Sequence, residues 1–312
     1  MLIREIAGDV AYPEPGVLKC DKREYVELTA GEWATILDVS DGPAIITNLW
    51  IAVNTGLLMA RKLPIRIYFD GAESPQVIGE TGDIFALGYE NTRTFRTPYV
   101  GVSRGYDTIF SGYLKLLMPY HSSVKIQIYN AEASGHMHYW AMIDRMPITE
   151  DGLLALGFKA NMVMHTYGYG LAGNKTHYSE VTLLDQAVPT ILAGLFHWCR
   201  NDIAAGGGDN WLYQEGNYKI YYNQSGTASY ESSGTEDFYH SSFFYAEGEF
   251  AENDEALSVL SASEYITGMW RAFPLWKAPY HIGGIKLTWN VGESGKGDPG
   301  STYIRWLTWY YQ

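Results

Sequence analysis

Residues 117–130 read LMPYHSSVKIQIYN and residues 277–290 read KAPYHIGGIKLTWN. Pro119-Tyr120-His121 thus returns as Pro279-Tyr280-His281 towards the other end of the chain. In both copies a short turn leads into an alternating strand. Val124, Ile126 and Ile128 share one face of the first strand, and Ile285, Leu287 and Trp289 share one face of the second. The strands end at Asn130 and Asn290, and an aromatic strand follows each, HYWAMID in one case and YIRWLTWYYQ in the other. A repeat near half the chain length predicts two related β domains that close with the same pair of strands. The expected division is 1–150 for the first domain, 151–175 for a turn-rich connection, and 176–312 for the second domain.

The rest of the chain fits that frame. Leu63, Ile65, Ile67 and Phe69 alternate with other residues up to an Asp70-Gly71 turn, and Gly82-Asp83 and Ser225-Gly226 punctuate later runs. Tyr303–Tyr311 is apolar and aromatic on both faces, which suits a strand covered on two sides. Thr182–His197 is apolar without a decisive period, so helix and buried strand both remain open there. With 33 Gly, 12 Pro and 15% aromatic residues, the composition favours many short strands and turns. A 150-residue unit of this kind suits an antiparallel sandwich, of which the jelly roll has about eight strands.

Charge and composition exclude several classes. Lys+Arg of 22 against Asp+Glu of 35 gives a net charge of −13, which repels a phosphate backbone and argues against nucleic acid. No apolar run approaches the length of a membrane span. The opening MLIREIAGDVAYPEP lacks a basic stretch followed by an apolar run, so no signal peptide is expected and a cytoplasmic protein is. In that setting Cys20 and Cys199 read as reduced thiols. His136 and His138 share a strand face and would suit a metal, but without a third ligand they read as ordinary histidines. Gly206-Gly207-Gly208-Asp209 lacks the lysine and helix of a phosphate loop and reads as a connector.

The stretch Trp211–Tyr239, WLYQEGNYKIYYNQSGTASYESSGTEDFY, carries the chemistry. A hairpin turning at Ser225-Gly226 would set Glu215 directly opposite Glu236. Opposed side chains in a ladder have Cβ atoms about 4.5–5.5 Å apart, and two carboxylates there would repel. One of them would then hold its proton longer, as a general acid requires. Retaining glycosidases keep their two carboxyl groups about 5–5.5 Å apart.

The same stretch resembles the signature of glycoside hydrolase family 172, in which a Gly-Glu-Gly-(Asp/Glu) opening precedes a Lys-led strand and a Gly-Thr-Gly-(Thr/Ser)-Glu-Asp-Tyr close. Here the segments are Gln214-Glu215-Gly216-Asn217, Lys219-Ile220-Tyr221 and Ser232-Ser233-Gly234-Thr235-Glu236-Asp237-Phe238. Gln214, Asn217 and Ser233 depart from the pattern. Further blocks in the same order are Gly42-Pro43 with Leu49-Trp50, Arg66–Gly71, Gly82-Asp83-Ile84-Phe85, Met118-Pro119-Tyr120, Arg271-Ala272-Phe273 and Tyr303–Gln312. The resemblance implies a double jelly roll acting on fructo- or arabinofuranosides, assembled as homotrimers or a dimer of trimers. It places the acid/base on Glu215 and the nucleophile on Glu236 and implies no metal or organic cofactor; Trp50, Asp83, Trp211 and Asp237 are the expected substrate contacts. A second class shares that architecture: trimers of double jelly rolls also form viral shells. A virion component, a capsid decoration or glycan-binding part among other virion proteins, is therefore the alternative to the enzyme.

Overall fold

Alternation becomes antiparallel ladders. Val124, Ile126 and Ile128 are buried while Lys125, Gln127 and Tyr129 between them are partly exposed, the two-residue period of a strand with one wet face. The computed structural model describes residues 17–55, 60–87, 94–105, 109–168, 173–176, 178–201, 211–240, 256–261, 266–295 and 302–312. Gly206–Asp209 lies outside the described residues.

The first half holds β1 (Lys19–Thr29), β2 (Trp33–Val39), β3 (Ala44–Asn54), β4 (Pro64–Phe69), β5 (Val77–Glu80), β6 (Phe95–Arg96), β7 (Val100–Gly105), β8 (Ile109–Leu114), β9 (Met118–Tyr120), β10 (Val124–Tyr129) and β11 (His136–Pro147). The second holds β12 (Met164–Tyr167), β13 (Gly173–Lys175), β14 (Glu180–Gln186), β15 (Thr190–Asn201), β16 (Tyr218–Tyr222), β17 (Tyr230–Glu231), β18 (Ala256–Ser261), β19 (Ile266–Ala272), β20 (Tyr280–His281), β21 (Ile285–Asn290) and β22 (Thr302–Tyr311). Helical turns are short: α1 (Thr81–Ile84), α2 (Glu150–Ala155) and α3 (Thr235–Phe238). The open segment Thr182–His197 is strand throughout except for one turn, because its buried run in β15 is covered on both faces.

Among the described residues each half forms one four-stranded and one seven-stranded sheet in matching order. The small sheets run β2-β10-β4-β5 and β14-β21-β16-β17. The large ones run β1-β11-β3-β8-β7-β6 and β12-β22-β15-β19-β18, with β9 on β3 in the first and β13 on β22 and β20 on β15 in the second. The Pro-Tyr-His repeat is therefore structural. Tyr120 pairs with Ala44 and Tyr280 with Ile191, and each leads through the next strand into the sheet-spanning β11 or β22. The chain is all-β, a double jelly roll.

Two buried clusters fill the rolls, and the larger one crosses between them. It unites Ile65, Ile67 and Phe110 of the first roll with Phe196, Trp270, Leu307 and Trp309 of the second. The outward face of the second large sheet thus packs on the first roll, while Leu195, Met269 and Tyr310 on its inward face fill the second core. This is why β22 is buried on both sides. Each fully buried large side chain contributes about 1.5–3 kcal/mol of transfer free energy. Arg305 of β22 crosses the contact to α1: its Nε donates to Asp83 Oδ1 at 2.6 Å and its Nη2 to Asp83 Oδ2 at 2.6 Å and Glu80 Oε2 at 2.9 Å. Thr166 of β12 also joins β5, accepting from the Ile78 amide at 2.9 Å.

Candidate functional site

The turns that carry Glu215 and Glu236 are built differently from the expected hairpin. The ladder pairs Lys219 with Glu231 and Ile220 with Tyr230, one residue away from the register that would oppose the two carboxylates. It ends before either glutamate. The Ser232 hydroxyl accepts from the Tyr218 amide at 2.9 Å and donates to the Gly234 carbonyl at 2.9 Å, turning the chain out of the sheet. Glu215 closes a 3-10 turn, Leu212–Glu215, and Glu236 lies in the first turn of α3. The expectation of direct cross-strand opposition is therefore corrected. Two turns at one corner of the second roll lie against each other, the one ending at Glu215 and the one beginning before Glu236.

Those turns are locked by groups that the sequence reading passed over. Thr235 Oγ1 donates to the Gly216 carbonyl at 2.8 Å and accepts from the Trp289 indole at 2.7 Å, so one buried hydroxyl ties the residue after Glu215 to the residue before Glu236. Gly216 must be glycine, since a Cβ there would fall 1.7 Å from the Asn290 carbonyl oxygen. A Cβ built on Gly234 would lie 3.2 Å from Glu236 Oε2 and 3.4 Å from the carbonyl of Gln214. Glu236 is 8% exposed, Glu215 is half-buried, and Asp237 is exposed and bonded to the Ser233 hydroxyl. Trp211 caps the 3-10 turn beside Tyr213, ring centroids 6.3 Å apart.

An aromatic and polar stack supports the corner from behind. Tyr218 stacks on Phe238 at 4.1 Å, and its hydroxyl meets Tyr239 at 3.2 Å and His197 Nδ1. His197 Nε2 in turn lies 3.2 Å from Cys199 Sγ. Burial alone pushes His197 down to about 3, so it is a neutral member of this chain of contacts. Arg271 donates to the Phe238 carbonyl and lies over the Phe238 ring at 4.4 Å.

The other two expected substrate contacts lie elsewhere. Asp83 is fully buried with both oxygens on Arg305, which closes it to a bound sugar. It joins the rolls rather than binding substrate. Burial outweighs the attraction of Arg305 and lifts its carboxyl to about 6. Trp50 sits on β3, on the outward face of the first large sheet. His136 and His138 point their Nε2 atoms at Glu27 Oε2, 3.9 and 3.8 Å away, while Tyr25 stacks on His138 at 4.1 Å. Among the described residues no group of three or more His, Cys, Asp and Glu side chains is arranged to hold a metal ion. No helix there is long and apolar enough to cross a membrane.

Two rolls of matching strand order, with paired acidic turns on one of them, define the chain as a double jelly-roll protein. Residues 19–145 match the family model of the GH172 first beta-sandwich domain, so the resemblance read from the motifs stands over the first roll. A search of curated proteins finds no match. Among solved structures, the STIV MCP superposes with a TM-score of 0.51 at 11% identity, covering 95% of this chain and 97% of that one. The major capsid protein P2 from Bacteriophage PM2 gives 0.51 at 10% identity with the same coverage, 95% and 97%. At such identities the likeness is one of fold.

Proposed function

We propose that this glycoside hydrolase-like chain cleaves furanosides of the fructo- or arabino- type with retention. The observation that carries the reading is the Thr235 lock, which holds the Glu215 and Glu236 turns together at a corner where one carboxylate is nearly buried and the other is half-exposed. The Glu236 carboxylate attacks the anomeric carbon as Glu215 gives its proton to the departing oxygen. Glu215, now ionised, takes a proton from water, and the resulting hydroxide equivalent displaces Glu236 from the sugar. Trp211 offers a ring for sugar stacking and Asp237 an acceptor for its hydroxyls. The assembly that accompanies this reading is a homotrimer or a dimer of trimers in the cytoplasm.

A screen against nitrophenyl furanosides tests it. Turnover by the native chain should fall about 10²–10⁴-fold in Glu215→Gln, and at least as far in Glu236→Gln. Activity that survives Glu236→Gln undiminished rules the assignment out.

A second reading is a virion component that binds glycans without cleaving them. It is favoured by the end-to-end likeness to capsid folds, and by the family match falling on the roll that does not carry Glu215 and Glu236. A blank furanoside screen, with glycan binding retained and the chain present in purified particles, would favour it.

A further inference from the structure

We propose that the outward face of the first small sheet holds a binding site for a neutral saccharide, on the roll that does not carry Glu215 and Glu236. Its residues form a row. Asp38 of β2, Lys125 of β10 and Tyr68 of β4 stand in direct register, and directly opposed side chains lie on the same face. Their sequence neighbours Leu37, Ile126 and Ile67 are buried in the core, so the row faces outward. Together with Ser40, Glu73 and Gln127 it lines an open cleft of about 400 Å³. Among the described residues, Asp38, Tyr68, Glu73 and Lys125 have no side-chain hydrogen bond, ion pair or ring contact of their own.

The second small sheet repeats the row. Asp185 of β14, Lys286 of β21 and Tyr221 of β16 are in direct register at the same places, the aspartate and tyrosine each next to last in their strands and the lysine second. There the chain satisfies the row itself. Lys286 Nζ lies 3.9 Å from Glu180 Oε1 and 5.6 Å from the centre of the Tyr221 ring. Gln224 Nε2 donates to Asp185 Oδ1 at 3.0 Å and to the Gln186 carbonyl at 3.1 Å. This plug comes from the turn after β16. Asn223 and Gln224 take left-handed conformations there, φ 55° and 54°, as Asp70 and Gly71 do after β4, φ 54° and 72°. Gly71 thus occupies the place of Gln224 without its side chain, and a Cβ built on it would meet nothing within 4 Å. One row is plugged, and the other is open.

The open row sets out the groups that a sugar engages. Tyr68 offers a ring to the C–H face of a pyranose, the carboxylates of Asp38 and Glu73 accept from its hydroxyls, and Lys125 donates to them. Asp38 and Glu73 outnumber Lys125, and the whole chain carries a net charge of −13, so a uronate or other anionic saccharide is repelled. An apolar ligand would strip water from three charged groups and replace none of it. The site stands whether or not Glu215 and Glu236 cleave a glycoside.

The probes are the neutral trisaccharides maltotriose, cellotriose and xylotriose, with trigalacturonate as the anionic control, each followed by saturation-transfer NMR on the full chain. The Glu236→Gln chain is measured beside the native one, which keeps binding apart from any cleavage. Transfer to at least one neutral probe and none to trigalacturonate is expected, with equal affinity in both chains. Tyr68→Ala should weaken that binding about tenfold, the loss of one stacked ring. Gly71→Gln should abolish it by supplying the plug that Gln224 gives the second roll. Tyr68→Ala and a further surface variant, Lys125→Met, which should also weaken binding, decide the matter if Gly71→Gln does not fold. No transfer to any neutral probe, transfer to trigalacturonate that matches it, binding left undiminished by these variants, or binding that disappears in Glu236→Gln overturns the proposal. Intact binding beside a blank furanoside screen removes the hydrolase reading alone, and furanoside turnover without this binding removes the cleft alone.

Discussion

The same turn occurs twice in this molecule and does two different things. Thr81-Gly82-Asp83-Ile84-Phe85 follows β5, and Thr235-Glu236-Asp237-Phe238-Tyr239 follows the equivalent strand β17. In both, the threonine hydroxyl donates to a carbonyl of the segment entering the neighbouring strand, Ala60 before β4 in the first roll and Gly216 before β16 in the second. In the first roll the aspartate is wholly buried and gripped by Arg305. In the second, the aspartate is exposed, a glutamate stands where the first has Gly82, and Ser232, Ser233 and Gly234 are interposed between strand and turn. One copy of the turn holds the rolls together. The other stands at a corner of the second roll with its glutamate nearly buried and its aspartate exposed, and we propose that it serves the site.

The largest effect should come from breaking the first turn. Arg305→Ala strands two carboxylates at the contact between rolls and should cost about 3–5 kcal/mol by denaturant unfolding at pH 7.5. The sign with pH is distinctive. Asp83 lies up at about 6, above its unfolded value, so the native state takes the proton first and gains stability as pH falls from about 7 towards 4. The deficit of Arg305→Ala should accordingly shrink at pH 5. An equal deficit at both pH values would show that Asp83 does not titrate in this range.

Next in size is the feature that the two turns share. Thr235→Val leaves the Trp289 indole and the Gly216 carbonyl without their buried partner, and a cost of about 1–3 kcal/mol is expected. Thr81→Val should cost a similar amount, since Thr81 is equally buried. A large difference between the two would mean that the turns are held differently.

The stack behind the second turn has its own pH signature. His197 is depressed to about 3 and His165 to about 4, both by burial, so their contribution is complete above about 6.5 and is lost as pH falls below it. While the unfolded histidine is protonated and the folded one is not, each should remove about 1.4 kcal/mol per pH unit. His197→Gln should flatten that slope in thermal scans between pH 6 and pH 4.5.

The smallest effect should be Asp237→Asn. The side chain is exposed, so its stability change should stay within about 0.5 kcal/mol, against several for Arg305→Ala at the first turn. A loss comparable to that of Arg305→Ala would break the contrast between the two turns.

Much of this was legible in the residues. The Pro-Tyr-His repeat and the alternation that follows it located the closing strands of both rolls, because a strand with one wet face must alternate whatever surrounds it. The two-sided burial of Tyr303–Tyr311 was readable for the same reason: no polar face remains to be wetted. The Thr-Gly-Asp and Thr-Glu-Asp echo was equally available as a pointer to the Thr235 lock. Three things were decided only by the tertiary structure. The hairpin register depended on Asn223 and Gln224 taking left-handed conformations, φ 55° and 54°, which pattern alone does not specify. The fate of Asp83 depended on an arginine more than two hundred residues away, and an ion pair between distant segments leaves no local periodicity. The contact between the turns that carry Glu215 and Glu236 required two segments outside any ladder to be tied by one threonine and one tryptophan. Sequence determines which face of a strand is dry; only packing decides which distant groups share the same buried space.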